Sequence, residues 1–352
     1  MTTPTVSILL PTLNSMRFLW QRIASIYAQN LTDWELLVGD SASTDGTWEF
    51  LSEYAKTDSR IKLYQLPRGL YQAWNSLIEK STGKYIYIAT SDDTMRPDCL
   101  SKMVAALEEN PECSLCDSMI RLIDTEGRDI TEQSPLYLPH HWHVDFPRGE
   151  KHLRQCPHDY FLHFCGKTVY TSITQVLIKR DLFEKTGLFD PSFGRSSDFL
   201  WGVRAARHAN VIFIPERLAS WRIHEDQITN NANPADVDKS FHQMSAMARA
   251  AIAEEKDEEL KAKAEYVFKL IPFKEMLLPA KRKRNLLYFF RSLVLASLFH
   301  PVLSFQYFLC ALETRKKAER RTWLIKSYDL LAEKRIKKLK IAPYISPSPH
   351  KK

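Results

Sequence analysis

Ser91-Asp92-Asp93 closes an apolar run of alternating character, Tyr85-Ile86-Tyr87-Ile88-Ala89. Two adjacent carboxylates at the end of a strand that reads as buried are costly to desolvate unless a cation or hydrogen-bond donors compensate them. Oxygen ligands on a short loop suit a hard divalent ion that also holds substrate phosphates. The competing reading is a solvated turn that merely stops the strand. Two more residue types bear on the chemistry. Asp198 stands where a helix opens, and an Asp there is an ordinary N-cap. His224 is of a type that often ligates Mn²⁺-like ions, although a lone histidine is more often packed or solvent-facing.

The elements that must position these residues alternate in type. A strand-like Val6-Ser7-Ile8-Leu9-Leu10-Pro11-Thr12-Leu13-Asn14 precedes a helical pattern over 17–29. A second strand runs to Asp40, and Ser43-Thr44-Asp45-Gly46-Thr47 then reads as a turn that feeds a helix N-terminus, with Asp45 structuring it. A third strand ends near Pro67, and Gly69 opens a helix that carries Ala73, Trp74 and Asn75. The strand at Tyr85–Ala89 is the fourth. Strands alternating with helices predict a mostly parallel α/β sheet, with ligands in a crevice beyond the strand C-termini. Thr12, Asn14, Asp40 and Asp92 all fall at such ends.

The ordered series PTLN, GDSASTDGT, GLYQAWN and TGKYIYIATSDD resembles the nucleotide-binding half of a family 2 glycosyltransferase of the GT-A fold, of the kind that builds bacterial surface polysaccharides. The resemblance is dense over 5–110 and resumes over 171–228. It implies transfer of a sugar from a nucleotide donor, a UDP-sugar by general frequency, with inversion at the anomeric carbon. It implies that Pro11, Thr12 and Asn14 line the base and ribose pocket and that Asp40 accepts from the base ring N–H. Asn75 either faces the donor or caps local backbone. Ser91 and Asp92 belong to the donor site, Asp92 reaching the ribose hydroxyls, and Asp93, with Asp92 and His224, holds a divalent metal, Mn²⁺ or Mg²⁺, on the diphosphate. In the same family a carboxylate precedes a helix with an arginine six positions on, and Asp198 with Arg204 fits that spacing, which makes Asp198 the general base. The sequence departs from the family at two places. Thr90 stands where many relatives have the first Asp of an Asp-x-Asp triplet, and Ser197 stands where relatives often have Glu.

The stretch 116–170 is less legible. It holds His140, His141, His143, His152, His158 and His163, without the spacing of a zinc site, and is read as an acceptor-facing insertion whose Tyr137, Trp142, Phe146 and Tyr160 can stack on sugar rings. The six cysteines show no framework spacing; Cys113-x-x-Cys116 is the one close pair. Met1–Thr5 lead directly into the first strand, so no leader is expected and a cytoplasmic location follows. With ten glycines and no Gly-rich phosphate loop, the chain does not read as a nucleotide-sugar hydrolase or pyrophosphorylase.

Charge is unevenly spread: residues 275–352 carry a net +13 and residues 1–274 a net −6. Within the basic tail, the apolar stretch 286–312 lies between Lys281-Arg282-Lys283-Arg284 and Arg315-Lys316-Lys317. Arg291, His300 and Pro301 interrupt it, and basic flanks at both ends conflict with one spanning helix. The expectation is two apolar helices, broken at His300-Pro301, lying on the inner face of the cell membrane. The alternative is a helical subdomain with solvated basic residues; nucleic acid is not expected, because no recognised module accompanies the tail. The expected organisation is therefore a GT-A catalytic domain at 1–228, divided into a nucleotide-sugar half (1–115) and an acceptor half (116–228), then a helical C-terminal region at 229–352 entered by a helix over 234–270. The acceptor class is a glycan or lipid-linked glycan. The alternative function is a non-catalytic protein of the same fold that retains the pocket as a scaffold in glycan assembly.

Overall fold

Strand β1 (Val6–Thr12) is buried along its whole length, and so is β2 (Trp34–Asp40), which runs parallel to it from Val6 opposite Trp34 to Thr12 opposite Asp40. Strands covered on both faces read as near-continuous apolar runs, and side-chain alternation then sends successive residues to opposite layers. Ile8, Leu10, Leu36 and Val38 meet Leu19, Ile23 and Ile26 of helix α1 (Met16–Tyr27) and Leu51 of α2 (Thr47–Thr57). Leu9 and Leu37 point the other way, to Trp74, Leu77 and Ile78 of α3 (Leu70–Lys80), which follows β3 (Ile61–Gln65). Strand β4 (Tyr85–Ile88) splits in the same manner, Tyr85 and Tyr87 to the first layer and Ile86 and Ile88 to the second. The structure is a computed structural model that describes residues 3–132, 149–163, 169, 170, 172–227, 242, 245, 246, 248–270, 293, 294, 296–298, 300–315 and 323–339.

Beyond β4 come β5 (Thr94–Met95), α4 (Cys99–Glu109), β6 (Cys113–Ile123), β7 (His152–Arg154), α5 (His158–His163), β8 (Val176–Lys179), α6 (Leu182–Thr186), α7 (Ser197–His208) and β9 (Asn210–Arg222). Among the described residues one nine-stranded sheet has the order β3-β2-β1-β4-β8-β6-β9-β5, with β7 on β9. The first four strands are parallel, as the alternation predicts. Antiparallel pairing enters with β8, which runs against both β4 and β6, so the second half is mixed. Strand β9 is longer than the apolar run at 210–216 suggests. A register shift opposite Ser118 and Met119 lets it continue through Pro215 and Glu216 to Arg222. Cys113 and Cys116, rather than forming a site, are buried free thiols on β6, and burial pushes both upward in pKa.

The expected single helix over 234–270 is interrupted: residues 248–254 are helical, and α8 (Glu258–Phe268) restarts where the Asp257 side chain accepts from the N–H groups of Glu259 and Leu260. Helices α9 (Pro301–Arg315) and α10 (Trp323–Lys338) follow. Leu303, Tyr307 and Cys310 of α9 and Tyr328 and Leu331 of α10 share a core with Phe199, Leu200 and Val203 of α7.

At the N-terminal end of the sheet, Glu35 of β2 ties three segments together. It accepts from Ser7 Oγ at 2.6 Å, Thr82 N at 2.7 Å and Thr82 Oγ1 at 2.8 Å, and pairs with Lys62 Nζ at 2.8 Å. Burial acts to raise this carboxyl, but the bonds from Lys62, Ser7 and Thr82 outweigh it and hold the pKa down at about 2. A depressed carboxylate contributes stability above its unfolded value, near 4.5, that is lost as pH falls toward about 2. Glu35→Gln is expected to lower stability at neutral pH by about 1–3 kcal/mol and to flatten this acid limb, as followed by urea denaturation at a series of pH values; an unchanged limb would contradict the assignment.

Candidate active site

The C-terminal edge of the parallel strands is stitched together by short polar side chains. Thr12 Oγ1 donates to Asp40 Oδ1 at 2.9 Å, and Ser43 donates to Asp40 through both its N–H, 3.0 Å, and its hydroxyl, 2.5 Å. Asn14 adopts φ +48° and its Oδ1 accepts from Thr44 N at 2.9 Å. Asp45 accepts from Met16 N at 3.0 Å and from Thr47 N and Oγ1, so one carboxylate holds the first turns of α1 and α2. Gly46, at φ +91°, makes the turn that leads into α2, a conformation that suits glycine. Ser91 Oγ lies 3.0 Å from Ser15 Oγ and joins the acidic loop to the start of α1. Thr12, Asn14, Asp40 and Ser91 are thus gathered at one edge, with Pro11 opposite Gly39 just below. Asp40 is buried and already takes three donors, which leaves a carboxylate with little further acceptor capacity.

Asp92 and Asp93 diverge. Asp93 turns inward and is 1 % exposed; its Oδ1 accepts from Arg222 N at 2.8 Å and its Oδ2 from the hydroxyl of Thr90. Burial, then the neighbouring Asp92, push its pKa upward. Asp92 faces outward, its side chain 29 % exposed, with Oδ2 3.0 Å from His224 Nε2. The end of β9 makes this pairing. Gln227 accepts the His224 N–H at 3.4 Å and donates to the Arg222 carbonyl, closing the turn that carries the histidine, and the ring rests against Phe18.

Two buried guanidiniums hold the loop. Arg222 donates to the carbonyls of Asp92 (2.7 Å), Asp124 (2.8 Å) and Thr125 (3.1 Å) and to Gln21, with its carbon 4.6 Å from the Phe18 ring centre. Arg22, from the apolar face of α1, donates to Thr90 O at 2.7 Å and Thr174 Oγ1 at 3.0 Å. Neither Arg222 nor Arg22 stands out in the sequence. The available signal was position: Arg22 lies between Phe18, Leu19, Ile23 and Ile26, where an unpartnered charge would not be tolerated.

Other expectations meet a different geometry. Asn75 spends its amide on Phe189, donating to its carbonyl at 2.7 Å and accepting its N–H at 3.0 Å, which is the backbone-capping alternative. This ties α3 to the approach to α7. Asp198 occupies the first turn of α7, half-buried, and accepts from Phe199 N at 2.7 Å. Arg204 is directed to Leu188 O at 2.6 Å. Ser197, at the position of the family's second carboxylate, donates to the carbonyls of Asp190 and Gly194 and fixes the turn ahead of the helix. Tyr160 is not available to stack on a sugar: it is buried in the core shared with the C-terminal helices. Tyr137, Trp142, Phe146, His140, His141 and His143 lie outside the described residues.

His152, His158 and His163 are buried as well. His158 belongs to a polar cluster in which Arg154 contacts Asp159 (2.9 Å) and Asp117 (2.9 Å), and Gln175 donates to Asp117 at 2.7 Å. Burial acts to raise Asp159, yet Arg154 and His158 hold it well below the usual carboxylate range, whereas for Asp117 burial prevails and the shift is upward. Thr174 and Gln175 are neighbours in one 3₁₀ turn, so this cluster and Arg22 are anchored on the same piece of chain.

A divalent ion is implied by the resemblance, and the donor set fits one. Neighbouring ligands of an octahedral ion with bonds of about 2.1 Å are about 3 Å apart, the spacing of Asp92 Oδ2 and His224 Nε2. One carboxylate oxygen and one imidazole nitrogen suit Mn²⁺-type ions. Among the described residues no group of three His, Cys, Asp or Glu side chains converges on a ready-made metal site, so further ligands would come from diphosphate oxygens and water.

The sheet order is that of a GT-A fold, and the comparisons agree. The model of glycosyl transferase family 2 matches residues 7–183, and the chain belongs to that family. It is 32% identical over 129 residues to TuaG of Bacillus subtilis, a glycosyltransferase named for teichuronic acid biosynthesis; the match covers 36% of this chain and 51% of TuaG, so it spans about half the length of that relative. Among solved structures it resembles S. aureus TarS 1–349 in complex with UDP-GlcNAc, with TM-score 0.60 and 16% identity over 95% of this chain and 92% of that one. It also resembles the mannosyltransferase PcManGT from Pyrobaculum calidifontis in complex with GDP-Man and Mn²⁺, with TM-score 0.59 and 19% identity over 97% and 89% of the two chains.

Replacing Arg222 by Met would leave three main-chain carbonyls and Gln21 without their buried donor. The expected cost is about 3 kcal/mol, and Arg222→Lys should recover less than half of it, because an ammonium cannot reach all four acceptors from one point. Urea denaturation measures both; losses below about 1 kcal/mol would show that the clamp is dispensable.

Proposed function

We propose that the protein transfers a sugar from a nucleoside diphosphate donor, a UDP-sugar, to a hydroxyl of a lipid-linked or polysaccharide acceptor during bacterial surface-glycan assembly, with inversion at the anomeric carbon. The observation that carries this reading is the meeting of outward-facing Asp92 with His224 at the edge where Thr12, Asn14 and Ser91 converge. The nucleotide sugars held by the two related structures support the donor class. We take residues 1–228 as the catalytic unit, with the donor half at 1–115 and the acceptor half at 116–228, followed by the helical region, and we place the protein on the cytoplasmic side of the cell membrane.

In this reading Pro11, Thr12 and Asn14 border the base and ribose, Asp40 shapes that pocket and offers its remaining lone pair to the base ring N–H, and Asp92 meets the ribose hydroxyls. Asp92 and His224 are the side chains that would hold Mn²⁺ or Mg²⁺. Asp93, whose two oxygens are engaged by Arg222 and Thr90, serves the site by fixing the loop. When bound, the ion would neutralise charge gathering on the departing diphosphate. Asp198 takes the acceptor hydroxyl proton as that oxygen forms its bond to the anomeric carbon, while the bond to the diphosphate breaks and its electron pair leaves with the phosphate oxygen. Asn75 contributes by holding the segment that leads to Asp198.

Calorimetry across UDP-, GDP- and dTDP-sugars, each with Mn²⁺ and with EDTA, tests the donor site. One donor is expected to bind, with affinity reduced at least about tenfold by EDTA; equal binding in EDTA would remove the metal from the reading. Asp198→Asn should keep donor affinity within about twofold and lose a factor of about 10²–10⁴ in transfer. Transfer at the parent rate in that variant would overturn the base assignment, and absence of both transfer and donor binding in the folded parent would favour a non-catalytic scaffold.

A further inference from the structure

Helix α9 is apolar on two sides. Leu303, Tyr307, Cys310 and Ala311 are buried against α7 and α10. Val302, Phe305, Phe308 and Leu309 face out, and Val294 and Leu298, in the helical residues ahead of His300, are exposed as well. Within α9 the spacing of 302, 305 and 309 is that of one helical stripe. The bond from His300 N to Ala296 O (2.7 Å) closes the upstream helical residues, and that from Ser304 N to His300 O (2.9 Å) begins α9; His300 itself is not helical, so the chain breaks at His300-Pro301 as expected, with Pro301 at the first position of α9. These side chains are well exposed, with Leu298 at 72 % and Phe305 at 63 %. Contiguous exposed apolar surface of this kind marks a docking site.

The geometry points to an anionic lipid bilayer as the occupant, and we propose that the outer face of residues 294–309 docks in its headgroup region without crossing it. Length argues against a crossing: fifteen residues of α9 rise about 22 Å, short of a hydrocarbon core of about 30 Å. No helix among the described residues is long and apolar enough to cross a membrane. Charge argues for an anionic partner and against a second copy of the chain. The stripe sits within a segment, 275–352, of net +13, with basic runs in the sequence at 281–284 and 315–317 on either side. Two such tails brought face to face repel, whereas acidic headgroups attract each basic residue by about 1 kcal/mol near the surface. The same helix packs on α7, which begins with Ser197 and Asp198, so the docked face and the acceptor side of the crevice belong to one packed unit. This inference does not depend on the transfer reaction.

The test uses the full chain in co-sedimentation with vesicles of phosphatidylcholine alone and of phosphatidylcholine mixed with phosphatidylglycerol. Binding is expected on the mixed vesicles, weak on the neutral ones, and reduced by added salt. Leu298→Glu and Phe305→Glu, each outside the crevice, should reduce binding at least about tenfold, with unchanged thermal unfolding and unchanged calorimetric binding of the donor. Equal binding by the variants, no preference for the anionic vesicles, or no binding by the parent would overturn the proposal. So would light scattering that shows a dimer in the parent and a monomer in Phe305→Glu.

Discussion

The Thr90–Asp93 loop depends on two guanidiniums that never reach solvent. Arg22 rises from the helix layer to the Thr90 carbonyl, and Arg222 descends from the end of β9 to the Asp92 carbonyl. Between them Asp93 is drawn inward by an N–H of the Arg222 main chain. Buried cations are retained where their donors are put to use, and here Arg222 and the Nε of Arg22 hold main-chain carbonyls that the loop cannot satisfy by itself. The arrangement leaves Asp92 as the acid that faces outward. It also accounts for the departure at Thr90, where a third carboxylate would crowd charge against Asp93 and the hydroxyl instead donates to it.

The long course of β9 makes the clamp possible. A strand ending at Pro215 would leave Arg222 and His224 in a loop. The register shift against β6 lets the chain absorb Pro215 and Glu216 and arrive at Arg222 still paired, opposite Ile123. His224 follows two residues later, where Gln227 closes the turn. The second half of the sheet is tied in independently, by Asn75 on the Phe189 backbone and by Thr174 and Gln175, which join Arg22 to the buried Arg154 cluster.

The first half of the fold was legible because its signals are local. Four apolar strands, each ended by a polar turn, and helices with one apolar face leave few alternatives to a parallel sheet covered on both sides. The positions of Thr12, Asn14, Asp40 and Ser91 follow from strand ends alone. What was not legible depends on contacts far apart in sequence. Strand β6 is a long run without clean alternation, the partners of Arg22 lie at positions 90 and 174, and Asn75 could be assigned only once Phe189 was seen beside it. The split in role between Asp92 and Asp93 is equally invisible in the sequence. Adjacent residues near a strand end point to opposite sides, but which one faces the interior is fixed by Arg222, 129 positions away from Asp93.

We propose that Asp92 and His224 form the protein's half of a metal site while Asp93 stays inside. Pulsed electron paramagnetic resonance of Mn²⁺ bound with UDP, on protein grown with ¹⁵N-histidine, tests it directly. The expected result is a hyperfine coupling to one imidazole nitrogen that disappears in His224→Gln and persists in folded Asp93→Asn. A bound Mn²⁺ with no histidine coupling in the parent protein would contradict it.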